Sequence, residues 1–536
     1  MTSSRYRSAI HQLLGRIEKL NAIGVALSQE RDIQRLAEMI LFGAMELVAA
    51  DGGTIYQVGP ENLAFLIMRT DSLGVRLGGT SGQPIPFTPI PLKLPDGRPN
   101  LSSVVVSAVL RNETINIADA YHAEGYDFSG TRTFDARTGY RSTSMLTVPM
   151  RNHEGEITGV LQLLNAQDDD GRIEAFSEAD QRLVESLASQ AAIAMDQREL
   201  IEDQRALFES FIRLIATAID EKSPYTGSHC HRVPELTMML AEAAARSDHG
   251  PLAAFTMNAA DRYELQTAAW LHDCGKITTP EWVMDKATKL SCIHDRIALV
   301  EARVEVAKRD AVIRALEGGG TRAAAASECA DLDADLLFLR QCNTGSEAMR
   351  PEDQERVRVI AKRHLLTDDE VRNLTIAKGT LLPEERAIIN HHIVATIKML
   401  ESLPYPKHLR RVPEFAGGHH ERMDGKGYPK GLTREQMSVQ ARVMGIADIF
   451  EALTARDRPY KQPMKLSQAL QIMGRMARDG HIDPDLFHVF VADKVYQDYA
   501  QRFLPPDQLD VVDERNLPGY SPPRGYEVEA SQADSD

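Results

Sequence analysis

His419-His420-Glu421-Arg422-Met423-Asp424-Gly425-Lys426-Gly427-Tyr428-Pro429 is the most specific stretch of the chain. Two adjacent imidazoles lead into a turn, where Gly425 and Gly427 let the backbone bend tightly and Pro429 stiffens the exit. The segment reads either as a surface turn or as the rim of a site built on imidazoles. Downstream, Asp448 sits in an apolar helical run, Val443-Met444-Gly445-Ile446-Ala447-Asp448-Ile449-Phe450. An ionised carboxylate buried there without a partner costs on the order of several kcal/mol. Asp448 therefore requires a metal, an arginine such as Arg442, or a proton.

Upstream, His272-Asp273 ends the apolar helix that carries Ala268-Ala269-Trp270-Leu271, and Gly275-Lys276 breaks it. An adjacent imidazole and carboxylate suit a divalent cation. The alternative is a histidine satisfied by the helix's last carbonyls. His229 stands just before a helix expected to begin at Val233, and Asn390-His391-His392 lies within a helical pattern over Pro383–Leu400. One cation cannot use all these groups. His229, His272, Asp273 and Asp448 fill a first site, while His392, His419 and His420 hold a second, with Asp273 shared. Two cations about 3.5–4 Å apart activate a water and clamp a phosphate oxygen. Nitrogen and oxygen donors without thiolate fit Fe, Mn or Zn.

The 536 residues are 43% hydrophobic and 26% charged, which excludes a mostly disordered, collagenous or membrane-embedded chain. No apolar run approaches the ~18 residues of a membrane span, and the first residues lack the apolar core of a secretory signal. Cys230, Cys274, Cys292, Cys329 and Cys342 form no CxxC pair. A disulfide scaffold is therefore not expected, and a cytoplasmic location is. A net charge of −16 disfavours a nucleic-acid polymer as partner. A membrane partner is not expected either.

Four segments follow from the patterning. Residues 1–29 form a helix, either an arm on the next domain or a dimer helix. Residues 30–198 form a mixed α/β domain, with a helix over Ile33–Ala50 and strands at Gly53–Val58, Leu63–Arg69, Ser144–Arg151 and Thr158–Asn165. It ends in a long helix from Ser177 to about Asp220, a signal carrier or a passive spacer. Residues 199–490 are all-α, with an insertion at about 293–381 that is loop-rich over 317–356. Residues 491–536 read as a loose, Pro-rich and acidic tail.

His-Asp-x-Gly-Lys at 272–276 followed by His-His-Glu-x-x-Asp-Gly-x-Gly-Tyr-Pro at 419–429 resembles the HD-GYP family of cyclic di-GMP phosphodiesterases. Supporting matches are Ser-Pro-Tyr-Thr-Gly-Ser-His at 223–229, Glu384-Glu385, Ile446-Ala447-Asp448 and Arg458-Pro459-Tyr460-Lys461. The resemblance implies an all-α HD-type metal-dependent phosphohydrolase domain. Its metal ligands would be His229, His272, Asp273, His392, His419, His420 and Asp448, holding two divalent cations, Fe or Mn. Tyr225 stands where some members place a Glu for a third metal. Asp273 and Lys276 would be catalytic. Lys276, Tyr428, Arg458 and Lys461 would bind substrate, and Ser223 replaces an aspartate that many members use for ligand contact.

Phe134-Asp135, Thr138-Gly139-Tyr140-Arg141-Ser142, Val148-Pro149-Met150 and Gly159-Val160-Leu161-Gln162-Leu163-Leu164-Asn165 resemble a GAF domain. The implied fold is an α+β GAF-like sensor domain ahead of the HD-type domain. Of the cyclic-nucleotide motif of some GAF domains, Asn165, Phe176 and Asp180 match, but Ala166 and Gln181 replace its Lys and Glu. The GAF ligand, a small molecule, is left open. The combined expectation is hydrolysis of cyclic di-GMP to pGpG or GMP by a homodimer under GAF control. The rivals are a cyclic di-GMP receptor with little turnover and a hydrolase of another cyclic dinucleotide.

Overall fold

The computed structural model describes residues 2–222, 229–248, 250–345, 348–363, 365–456 and 463–521. It divides into two compact units, Met1–Leu207 and Phe208–Asp536. The division falls nine residues beyond the expected boundary at 198, inside a continuous helix.

In the first unit, α1 (Thr2–Gln29) precedes α2 (Ile33–Leu47). Asp32 caps α2 by accepting from the amides of Gln34 and Arg35. The helix expected to reach Ala50 stops at Leu47, because Ala49 adopts a positive φ and turns the chain into a strand. The strands are β1 (Ala50–Val58), β2 (Asn62–Thr70), β3 (Val75–Gly78), β4 (Ile90–Pro91), β5 (Ile115–Ile117), β6 (Met145–Arg151), β7 (Ile157–Gln167) and β8 (Ile173–Glu174). They form one antiparallel sheet in the order β3-β2-β1-β7-β6-β5, with β4 on β2 and β8 on β7. Strand alternation divides the side chains between two faces. Ile55, Leu161 and Leu163 join a core with α2 and the helix after β8. Tyr56 and Val160 face α3 (Val104–Arg111) instead. A fourth helix, α4 (Ser129–Thr138), precedes β6.

The long helix α5 runs from Glu178 to Lys222. Ser177 and Asp180 exchange hydrogen bonds at its start, Ser177 N to Asp180 Oδ2 at 3.0 Å and Asp180 N to Ser177 Oγ at 3.1 Å.

The second unit is helical. After the end of α5 come α6 (His229–Arg246), α7 (Ala259–Leu271), α8 (Glu281–Met284), α9 (Ile297–Glu317), α10 (Ala326–Asn343), α11 (Pro351–Ala361), α12 (Asp368–Leu374) and α13 (Pro383–Glu401). They are followed by α14 (Val412–Gly417), α15 (Val439–Thr454), α16 (Leu466–Arg478), α17 (Pro484–Ala492) and α18 (Val495–Phe503). One core joins Ile212, Ala216 and Ile219 of α5 to α6, α7 and α14–α18.

The insertion departs from the loop-rich expectation. Over 317–356 it contains all of α10 and the start of α11. Leu332, Leu336 and Leu339 of α10 recur at helical spacing and pack with Val300, Val304, Val357 and Ile360 in a core of their own. Its base is tied to α13 by a buried ion pair. Lys286 Nζ reaches both Glu385 oxygens and Asn373 Oδ1, each at 2.8 Å.

The tail also departs from expectation. Residues 491–521 are not loose, since Tyr496, Tyr499, Leu517 and Tyr520 join the main core of this unit. Gln508 is buried and donates through Nε2 to Thr454 O at 2.8 Å and Met464 O at 2.9 Å. Gln508→Ala strands two carbonyls and should cost about 1–3 kcal/mol in chemical denaturation. An unchanged midpoint would mean that the two Gln508 bonds contribute nothing to the stability of the fold.

Candidate metal centre

Six helices and turns carry the predicted ligands to one place. His229 is the first residue of α6, so this helix begins four residues earlier than the sequence pattern indicated. His272 closes α7, and Asp273 opens the 3-10 turn Cys274–Thr278. His392 lies on α13, His419 and His420 follow α14, and Asp448 lies on α15. Gly275 permits the approach of the turn to α13, because a Cβ there would lie 2.0 Å from His392 O.

Asp273 is at the centre and 2% exposed. Its Oδ2 lies 3.2 Å from His229 Nε2 and 3.4 Å from His272 Nε2. Its Oδ1 lies 3.3 Å from His392 Nε2. Asp448 Oδ1 is 3.4 Å from His229 Nε2, on the first side. On the second side, His420 Nε2 is 3.2 Å from His392 Nε2, and the His419 and His420 rings are 4.1 Å apart. His229, His272 and Asp273 form one group with donor atoms close enough to share a cation, and His392, His419 and His420 form another.

The outer nitrogens explain why the inner ones face the centre. Nδ1 of His272, His392 and His419 meets Ala269 O at 2.7 Å, Ile389 O at 2.5 Å and Ala416 O at 2.6 Å. A carbonyl only accepts, so Nδ1 carries the proton and Nε2 keeps its lone pair. Sequence reasoning missed the equivalent partner of His229. Glu451 Oε2 accepts from its Nδ1 at 2.5 Å, and Arg232 holds Glu451 Oε1 at 2.6 Å. Glu451 follows Asp448 by three residues, which puts both on one face of α15. That spacing is the one signal the sequence carried.

Among the described residues, Nε2 of His229, His272 and His419 and Oδ1 of Asp273 are buried without a hydrogen-bond partner. Four orphaned atoms converging on one centre fit bound cations, which would satisfy them. The charges agree. Burial opposes the ionisation of Asp273, yet Lys276 and His272 hold its carboxyl well below the usual range. Asp448 is likewise held low against burial by His229. Burial opposes charge on His229 as well, but Glu451 and the two aspartates raise its imidazole well above the ordinary value, so a cation bound at its Nε2 would displace a proton. Burial and neighbouring imidazoles push His419 well down, and burial brings His420 to about 4. Both imidazoles are neutral near pH 7 and so could serve as metal ligands.

Lys276 Nζ bonds Asp273 Oδ2 directly. Tyr428 stacks on His420 with centroids 4.8 Å apart. Glu421 anchors the loop between them by accepting from Lys430 N at 2.7 Å and Leu432 N at 2.9 Å. A Cβ at Gly427 would lie 2.4 Å from Arg422 N, so this backbone approach needs glycine. Arg442 is not the partner of Asp448, because it pairs with Asp483. Ser223, Tyr225, Arg458 and Lys461 lie outside the described residues.

The first unit contains a cavity of about 400 Å³ between the sheet and α3–α4, with Tyr56, Phe65, Phe87 and Phe134 in its wall. Among the described residues Arg69 is its one cationic lining residue, and that guanidinium pairs with Asp71 and lies over Phe42. Gln162 is engaged by Tyr56 and Thr147. Asn165, Phe176 and Asp180 line none of it. Asn165 instead orders the Arg141–Thr143 loop, Phe176 is core, and Asp180 caps α5.

Residues 32–195 match the GAF domain and residues 361–486 an HD domain. The chain thus carries an N-terminal GAF domain and a helical HD domain. Among curated proteins, it is similar to two 3′3′-cGAMP-specific phosphodiesterases and a probable cyclic di-GMP phosphodiesterase of Vibrio cholerae. The first cGAMP enzyme is 42% identical over 17% of this chain and 20% of its own. The probable cyclic di-GMP enzyme is 30% identical over 32% of this chain and 45% of its own. The second cGAMP enzyme is 26% identical over 52% of this chain and 39% of its own. The chain spans less than half the length of each. No helix among the described residues is long and apolar enough to cross a membrane.

Glu451→Gln should leave the fold intact and weaken Mn²⁺ binding by about 10–100-fold, the usual cost of losing a carboxylate behind a metal-ligating histidine. Calorimetric titration with Mn²⁺ reads this, and unchanged affinity would deny Glu451 that role.

Proposed function

We propose that the second unit is an HD-GYP type phosphodiesterase that hydrolyses cyclic di-GMP. The observation that carries this reading is the cluster around a buried Asp273: His229 and His272 face one of its oxygens and His392 the other, with Asp448 beside His229 and with His419 and His420 beside His392. His229, His272 and Asp448 with one oxygen of Asp273, and His392, His419 and His420 with the other, would hold two divalent cations, Fe or Mn. Such a pair supplies Lewis-acid stabilisation of the phosphate and an activated water.

The chain's own residues do the rest. Asp273 fixes the spacing of the two halves. Lys276, its charge sustained against burial by Asp273, offers an ammonium to a phosphate oxygen or to the departing 3′-oxygen. Tyr428, stacked on His420, presents an aromatic face to a guanine. Arg458 and Lys461 supply further charge for phosphate and base. Water adds to phosphorus and the P–O3′ bond breaks, which gives linear pGpG; a second cleavage gives GMP.

The first unit is the regulator. Its cavity takes a small molecule, and the absence of an uncommitted cation in its wall favours a neutral ligand over a cyclic mononucleotide. The functional protein is a homodimer. A second reading, hydrolysis of 3′3′-cGAMP, is favoured by the names of two of the similar proteins.

Anoxic incubation of the Mn²⁺- or Fe²⁺-loaded protein with cyclic di-GMP should yield pGpG or GMP on chromatography, and chelation should stop it. Faster turnover of cGAMP would shift the substrate. Intact substrate at full metal occupancy would make the protein a receptor. Asp273→Ala should abolish turnover. Lys276→Ala should lower kcat by about 10²–10⁴-fold, the range for a lost proton donor, with less effect on KM.

A further inference from the structure

We propose that Lys222 is a positioning residue that holds the turn bearing Asp273 and Lys276; the claim rests on reading the cluster as a metal centre. Lys222 is the last residue of α5. Its Nζ lies 2.5 Å from Ile277 O, 2.6 Å from Thr279 O and 3.2 Å from Lys276 O. These carbonyls lie at the end of the 3-10 turn Cys274–Thr278; Lys276 O also accepts from Thr279 N at 3.0 Å, while the last carbonyls of a helical turn lack intrahelical donors. An ammonium brings three donors and no acceptor, so one side chain satisfies all three, and its charge suits the negative end of the turn.

The opposite side of the turn is fixed differently. Gly275 packs without a side chain against α13, and its amide donates to Thr396 Oγ1 at 2.9 Å. The turn is therefore held at two points, α13 on one side and Lys222 on the other. Asp273 opens this turn and Lys276 lies inside it. Among the described residues, the hydrogen bonds of Lys222 Nζ go to the backbone of the turn, so it acts through that backbone. Without the ammonium, the carbonyls of Ile277 and Thr279 lose this donor, Lys276 O keeps only Thr279 N, the turn is anchored on α13 alone, and the Asp273 carboxylate samples a wider range of positions. Displacements well below 1 Å matter to a site that must hold two cations and a phosphate.

The test uses the full chain with Lys222→Gln and Lys222→Arg. Mn²⁺ alone is titrated first, and then kcat and KM for cyclic di-GMP are measured at saturating Mn²⁺. The expected result for Lys222→Gln is about a 10–100-fold loss of Mn²⁺ affinity, as for other groups that orient ligands from behind. Its kcat should fall with KM within about twofold, since uniform substrate binding is untouched. Lys222→Arg, which keeps charge and donors, should recover most of both losses. Lys222→Met keeps the unbranched stem and replaces the Gln variant should that fold poorly. Wild-type Mn²⁺ affinity and kcat in Lys222→Gln would overturn the proposal, as would equal damage in the Gln and Arg variants. If the wild type binds Mn²⁺ but hydrolyses no cyclic dinucleotide, the proposed substrate fails and the Mn²⁺ titrations still decide the role of Lys222.

Discussion

An ionised carboxylate at the centre of a protein must be surrounded by positive charge, and Asp273 sets that demand for the whole second unit. Its two oxygens face different sets of imidazoles, one from α6 and α7 and the other from α13. A single residue therefore brings three helices distant in sequence to within 3.4 Å of its carboxylate. Lys276 supplies charge from the same turn, and Asp448 adds a second carboxylate that only deepens the need for cations. The packing around the site answers this one electrostatic requirement. Gly275 lets α13 approach, and Glu451 with Arg232 steadies His229.

Orientation comes from the outer nitrogens. Three imidazoles lean on the carbonyl three residues before them, and the fourth leans on a carboxylate. The backbone thus selects the tautomer, which costs no side chain and explains why the histidines lie at helix starts and ends or within helices rather than on free loops. The Gly425–Pro429 loop follows the same logic. Glu421 holds it by two amides, so that Tyr428 is laid flat on His420.

The clustering of these side chains was legible because they are chemically conspicuous where they stand: a carboxylate in an apolar helix, paired histidines beside glycines. Glu451 was not, because an acid at a helix end usually faces solvent, and only the fold brings α15 against His229. The start of α6 was read four residues late, since His229-Cys230-His231-Arg232 carries no apolar periodicity. The sheet strands were legible from alternation to within a few residues. The insertion was not, because Gly318-Gly319-Gly320 and the alanines after it hide the leucine stripe of α10. The tail misled for a related reason. Its prolines and acids suggest a loose segment, while Tyr496, Tyr499 and Tyr520 fill the core between them.

The central claim is that Asp273 is shared by two cations. Crystals grown with Mn²⁺ and measured at the manganese edge test it most directly. The account predicts two anomalous peaks per chain about 3.5–4 Å apart, one beside His229, His272 and Asp448 and the other beside His392, His419 and His420, with an Asp273 oxygen on each. A single peak, or two that do not share Asp273, would contradict it.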